Sequence, residues 1–391
     1  MPTGRGYVCL TLGGIAIAAG WFLGLVEMYV IGATLVALVV VAIIVAALRP
    51  LRLGVARTIN PTRLHVGTVG RVELAIRNGA NKTPVMRMTD HVHGTSGAQL
   101  FISPLRANEV TRAAYRLPTE RRGIVTVGPV DFESTDAFGL TSRSFRSPTP
   151  GQLVVYPEVV PLPPAPPAPA SNRKSNSDHP EFLGGRSEEF HALRHYVPGD
   201  DIRRINWAAS ARHDDLVVRE DEAPTQNHLT VFLDNAAIPP GIALDRAASV
   251  AASLVTSMRN RSDPFRLATV DGLDTGYVLG PSGLDRALGI LAVVDTTAIK
   301  RGEKVQIDNA EGALVMVSTE YPKVRPHDLG NFGRVLLVSL APSVWDESAE
   351  TVASTADAVG NDVKLLLGSI NDLGPLWRRA IATLLNARIS A

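Results

Sequence analysis

Two long apolar runs open the chain, and the rest of it is patterned differently. Residues 8–26 hold no charged side chain, and residues 29–48 are rich in Val, Ile, Leu and Ala. A helix rising about 1.5 Å per residue needs roughly 20 apolar residues to cross about 30 Å of hydrocarbon. Both runs meet that length, and the short gap between them predicts a transmembrane hairpin within residues 1–55, with Glu27 at its tip. Arg5 precedes the first run, Arg49, Arg52 and Arg57 follow the second, and no Lys or Arg lies between. The bias of cationic residues toward the cytoplasmic side places both ends there. A cleaved signal peptide followed by one anchor would instead put the bulk outside, but the start is weakly basic and lacks a clear cleavage site. In a cytoplasmic chain the sequon Asn81-Lys82-Thr83 has no glycan to receive.

From residue 56 to about 160 the apolar period shortens to two. Arg71-Val72-Glu73-Leu74-Ala75-Ile76-Arg77 alternates and then meets Asn78-Gly79. Further short runs, separated by Arg122-Gly123, Gly128-Pro129 and Pro150-Gly151, predict an antiparallel β-sandwich, with a partly open barrel as the alternative. Residues 161–170 read PLPPAPPAPA, a polyproline II spacer or, more sharply read, a proline-rich ligand, within a linker spanning 161–180. Residues 181–226 form a polar segment treated below. Over 227–391 near-continuous apolar strands at 229–234, 265–270, 313–317, 335–340 and 363–367 alternate with helical patterns at 243–258, 284–294, 350–359 and 375–387. That rhythm predicts an α/β domain with a mostly parallel sheet covered on both faces.

Composition narrows the functions available. Lys and Arg number 39 against 38 Asp and Glu, so no global field favours nucleic acid. The single cysteine, Cys9, lies in the first apolar run and excludes an intramolecular disulfide or a thiolate zinc site.

The most distinctive stretch is EFHALRHYVPGDDIRRINWAASARHDDLVVREDE, residues 189–222. Pro198-Gly199 predict a turn, Asp200 or Asp201 a cap on a short helix, and Arg203 with Trp207 an i, i+4 pair. Leu193-Arg194, Tyr196, Pro198-Gly199-Asp200, Arg203, Ile205, Trp207, Ala211-Arg212, Leu216 and Val218 resemble the bacterial family known as domain of unknown function 58. Glu220, Glu222 and Leu233-Asp234 extend the resemblance, as do Arg121-Arg122-Gly123, Asp136-Ala137-Phe138-Gly139-Leu140 and Val155-Tyr156-Pro157 upstream. Ala137 and Ala208 depart from the family, which often has proline and a long polar residue there. The resemblance implies a membrane protein with a β-rich domain and a C-terminal von Willebrand factor A-like domain. It also implies association with a MoxR-type AAA+ ATPase, and it supplies no catalytic residue and no cofactor.

A von Willebrand A domain that binds metal uses Asp-x-Ser-x-Ser after its first strand, oxygen ligands suited to magnesium. Here the stretch is Asp234-Asn235-Ala236-Ala237-Ile238, a degenerate loop that makes Asp234 structural. His191 and His195, four apart on one helical face, together with Asp200 are the candidates for a hydrolase or zinc site. Arg194, Asp200, Arg203, Trp207 and Arg212 either lock two elements together through buried ion pairs and an indole, or form a docking surface. The readings are therefore a cytoplasm-facing scaffold, a hydrolase, or a tether in cell-envelope biogenesis or stress response.

Overall fold

The computed structural model describes residues 1–48, 51–79, 82–165, 190–195, 207, 210–211, 216–221, 228–259, 263–299, 305–308, 310, 312–359 and 362–389. The chain divides into two compact units, Met1–Tyr156 and Pro157–Ala391.

The first unit begins with two helices, α1 (Gly4–Leu23) and α2 (Val26–Leu48), each long and apolar enough to cross a membrane. Glu27 is not at the tip of the hairpin. The chain reverses at Gly24-Leu25, where Gly24 takes a left-handed φ of 65° and caps α1. Glu27 falls in the first turn of α2, where a carboxylate favours the positive helix end. The helices meet along a seam of glycines. A Cβ on Gly13 would lie 2.9 Å from Val36 Cγ2, and one on Gly32 would lie 2.7 Å from the Gly13 carbonyl oxygen. Small residues at such a seam let backbones approach where lipid supplies no hydrophobic drive.

Both ends of this hairpin join the β structure. The Thr3 amide donates to the Leu140 carbonyl at 2.8 Å, the Ser142 amide to the Met1 carbonyl at 2.9 Å, and Pro2 bridges Thr141. At the other end α2 leads into β1 (Leu53–Asn60), which pairs antiparallel with β3 (Gly70–Asn78), itself paired with β6 (Val110–Leu117). A second sheet runs β2 (Arg63–His65), β9 (Gly151–Tyr156), β7 (Gly123–Thr135), β4 (Met86–Val92), β5 (Ala98–Ile102), with β8 (Ser142–Ser147) on β7. Every pairing but β2 with β9 is antiparallel. One core joins the sheets: Val72, Leu74 and Ile76 of β3 pack in a cluster with Met86, Met88, Phe132, Leu153 and Val155. The alternation read at 71–77 is the β3 burial pattern itself, apolar residues inward.

A buried polar group also ties the sheets. Arg57 of β1 donates to Asp90 of β4 and to the Val127 and Thr149 carbonyls, and the Tyr115 hydroxyl of β6 donates to Asp90 at 2.6 Å. Both partners of the ion pair are buried, with side chains 2 % and 0 % exposed. Burial first, and then the hydrogen bond to Asp90, push the Tyr115 phenol far above its ordinary range, against the opposing charge of Arg57.

The second unit holds a six-stranded sheet in the order β13 (Phe265–Thr269), β12 (Leu229–Leu233), β14 (Ala313–Thr319), β15 (Arg334–Leu340), β17 (Asp362–Leu367), β16 (Thr355–Val359). Every pairing is parallel except β16 with β17. Helices α3 (Ile242–Ser257), α4 (Gly280–Val293), the single turn α5 (Pro326–Leu329) and α6 (Leu373–Ile389) connect or follow the strands. Residues 350–359 are not a helix. Thr355–Val359 forms an antiparallel edge strand, because a short alternating segment next to β17 satisfies its amides by pairing along an open edge.

The first residues of the proline-rich segment are not a free spacer. The Trp377 indole Nε1 donates to the Pro163 carbonyl at 2.7 Å, and the Val160 amide donates to Ser253 Oγ at 2.9 Å. Ala165 is buried, as is Trp377. Residues 157–165 thus lie as a strap across α3 and α6. Residues 166–180 of the expected linker lie outside the described residues.

Candidate functional site

In an open α/β sheet the loops at the carboxyl ends of the strands form the crevice where ligands bind, next to the point where strand order reverses. Here the chain goes from β12 outward to β13, then crosses back to β14 on the other side of β12. Asp234 follows β12 at this reversal and is fully buried. Its Oδ2 accepts from the Ser318 hydroxyl at the end of β14 and from the Lys323 amide, both at 2.9 Å. Its Oδ1 accepts from the Ala237 amide at 3.2 Å. Asn235 is equally occupied: its Oδ1 accepts the Val270 amide at 3.0 Å and its Nδ2 donates to the Asp295 carbonyl at 2.7 Å. Ala236 and Ala237 offer no side-chain oxygen.

These residues do not fit a magnesium ion. A hard cation needs several oxygen ligands pointing at one place. Here the carboxylate serves three protein donors, the asparagine bonds other loops, and the alanines contribute nothing. Among the described residues no group of three or more His, Cys, Asp or Glu is arranged to hold a metal. The loop is a clasp that ties the ends of β12, β13 and β14. Ser318 is the partner that sequence alone does not reveal, since it is 84 positions away and reads only as the polar end of an apolar strand.

Beside the clasp, a cleft of about 470 Å³ is lined by Phe232, Thr269, Asp271, Asp274, Thr297 and Gln306. Asp274 does not present a free carboxylate. The Arg266 Nε donates to its Oδ1 at 2.8 Å, and the guanidinium also reaches the Asp308 carbonyl and stands 5.7 Å from the Tyr277 ring centroid. Burial pushes the Asp274 carboxyl up, but hydrogen bonds from Arg266 and the Gly276 amide, with the Arg266 charge, outweigh it and hold the group below its ordinary value.

The signature segment lies in the same unit. β10 (Phe190–His195) and β11 (Val217–Asp221) pair antiparallel as a separate two-stranded sheet, with a register shift between Phe190 and Ala192. This corrects the helical reading of the two histidines: His191 falls at the irregularity and His195 opposite Val217, both on a strand. A spacing of four matches the period of a strand as well as that of a helix, and strand pairing with 217–221 decides between them. Arg194 lies on the same strand, opposite Val218. Trp207 is 64 % exposed, so the indole is not the buried lock that was one of the two readings. Tyr196, Pro198, Gly199, Asp200, Arg203 and Arg212 lie outside the described residues.

Residues 192–275, from this hairpin through β12 and the clasp to the end of the Arg266–Asp274 pair, match the family described as "Protein of unknown function DUF58". Over that stretch the chain is similar to DUF58. No curated protein matches this chain. Among solved structures, the CARDB domain of the PF1109 protein from Pyrococcus furiosus, in complex with di-metal ions, is similar at 12 % identity and a TM-score of 0.22, covering 27 % of this chain and 93 % of that one. A β-glucosidase from Erythrobacter marinus is similar at 11 % identity and a TM-score of 0.19, over 27 % of this chain and 15 % of that one. Scores this low carry no argument about this chain.

Proposed function

We propose that the protein is a membrane-anchored scaffold whose C-terminal unit, von Willebrand factor A-like in organisation, presents a recognition surface to a partner rather than a reaction centre. The observation that carries this reading is the Asp234 clasp, in which both oxygens of the residue best placed for chemistry are engaged by Ser318, Lys323 and Ala237. The partner we propose is a MoxR-type AAA+ ATPase, on the strength of the family resemblance, with the exposed Trp207 as a contact. A large indole in solvent is a frequent binding anchor. The hydrolase reading loses support from the strand placement of His191 and His195.

The membrane in question is the plasma membrane and the soluble units face the cytoplasm. Two features support that orientation. The arginines flank the hairpin on its outer sides only, and residues 1–6 and α2 both join the same β structure, so the two ends leave one face of the bilayer. Affinity capture of the tagged full chain from detergent extract, with and without ATP, should recover the ATPase, and Trp207→Ala should weaken recovery. Repeated capture that yields no ATPase in either condition would sink the partner. Removing residues 1–55 separates scaffold from tether: a freed soluble portion that works normally means anchoring is not the point.

A further inference from the structure

At the root of α2 a cleft of about 740 Å³ opens between the helix end and the β strands of the first unit. Val45 and Leu48, in the last turns of α2, give it an apolar side, and Arg52, Lys82, Arg143 and Asp136 are among its polar lining. Arg52 and Lys82 are exposed. Asp136 accepts the Leu140 amide through Oδ1 at 2.7 Å, while its Oδ2 is buried without a hydrogen-bond partner. The apolar run of α2 ends at Leu48, so in a spanning helix the cleft sits at headgroup depth, where basic pockets meet anionic lipid.

We propose that this cleft binds the headgroup of an anionic phospholipid, of the phosphatidylglycerol type. The phosphodiester sits among Arg52, Lys82 and Arg143, and the first methylenes of the acyl chains run along Val45 and Leu48. Guanidinium groups match phosphate oxygens in geometry and charge. The inference rests on the hairpin crossing the membrane.

The test uses the full chain in nanodiscs of mixed phosphatidylcholine and phosphatidylglycerol, with retained lipid read by native mass spectrometry. Phosphatidylglycerol should be enriched over its share of the disc, and the double charge reversal R52E/K82E should lower that enrichment on the order of tenfold or more. Glycerol 3-phosphate shares the phosphate and hydroxyl chemistry but has no acyl chains, and it should not displace the lipid. Equal retention of the two lipids overturns the proposal, as does unchanged enrichment in R52E/K82E. Displacement by glycerol 3-phosphate reassigns the cleft to a soluble ligand and overturns the lipid. Carbonate extraction of the same membranes keeps the two ideas apart: a chain that washes off fails as an anchor, whereas one that stays without enrichment fails only here.

Discussion

Asp90 in the β unit and Asp234 in the α/β unit are both fully buried, yet the protein satisfies them by opposite means. Asp90 meets a cation, Arg57, and a phenol, Tyr115. Asp234 meets only neutral donors, one hydroxyl and two backbone amides. The difference teaches what each aspartate holds. Asp90 joins strands of two facing sheets, far apart in sequence, where a long guanidinium can span the core and also take the Val127 and Thr149 carbonyls. Asp234 gathers loops that already lie side by side at the end of one sheet, so short donors suffice. A buried ion pair is poor evidence for net stability, because desolvation offsets attraction, but breaking one half of it is costly.

The largest effect should therefore come from Asp90→Asn, which strands the Arg57 charge in the core. We expect a loss of about 3–5 kcal/mol in denaturant unfolding of the full chain in detergent. A loss near zero would mean the pair is replaceable and the comparison is wrong. Next comes Asp234→Ala, which leaves three donors unsatisfied but no charge, at about 1–3 kcal/mol. Asp234→Asn, which keeps one acceptor, should cost less than the alanine variant. If it costs as much as Asp90→Asn, the charge of Asp234 matters in a way that neutral donors do not explain.

The pH dependence should separate the units further. The Tyr115 phenol is raised in the folded protein, so its contribution is fully present below the unfolded value of about 10 and is lost as pH rises beyond it. Asp274 is lowered, so its contribution is present above the unfolded value of about 3.9 and is lost as pH falls through the folded one. Hydrogen exchange should show β4 loosening first in alkali and β13 in acid. Tyr115→Phe should flatten the alkaline arm, and the same slope in that variant would show that another group sets it. Asp131 is also held low, by hydrogen bonds from Arg146, but Arg146 is fully exposed and solvent screens such surface pairs. The smallest effect expected is from Trp377→Phe, which removes the bond to Pro163 at about 1 kcal/mol. Faster protease cleavage within 157–165 would report it.

Much of this architecture is legible in the sequence. The strands of the parallel sheet show because burial on both faces demands continuous apolar runs, as in Leu229–Leu233 and Ala313–Thr319. Ala236 and Ala237 show directly that the loop after β12 offers Asp234 no neighbouring side-chain oxygen. What the sequence hides are facts of long-range pairing. Ala356 and Ala358 fit a helix as readily as a strand until β17 stands beside them. His191 and His195 show a spacing shared by both periods. Proline content announces that residues 161–165 lack regular structure, yet says nothing about whether they pack, and Trp377 more than two hundred positions later decides that they do.

The glycine seam between α1 and α2 has a consequence for the order in which the molecule comes apart. It is a contact made by the absence of atoms, with no proton to lose and no charge for salt to mask. Acid or alkali that opens the β-sheets should leave it untouched. An unfolded chain still keeps its first six residues and the start of β1 within reach of each other, and refolding begins with that long loop already closed.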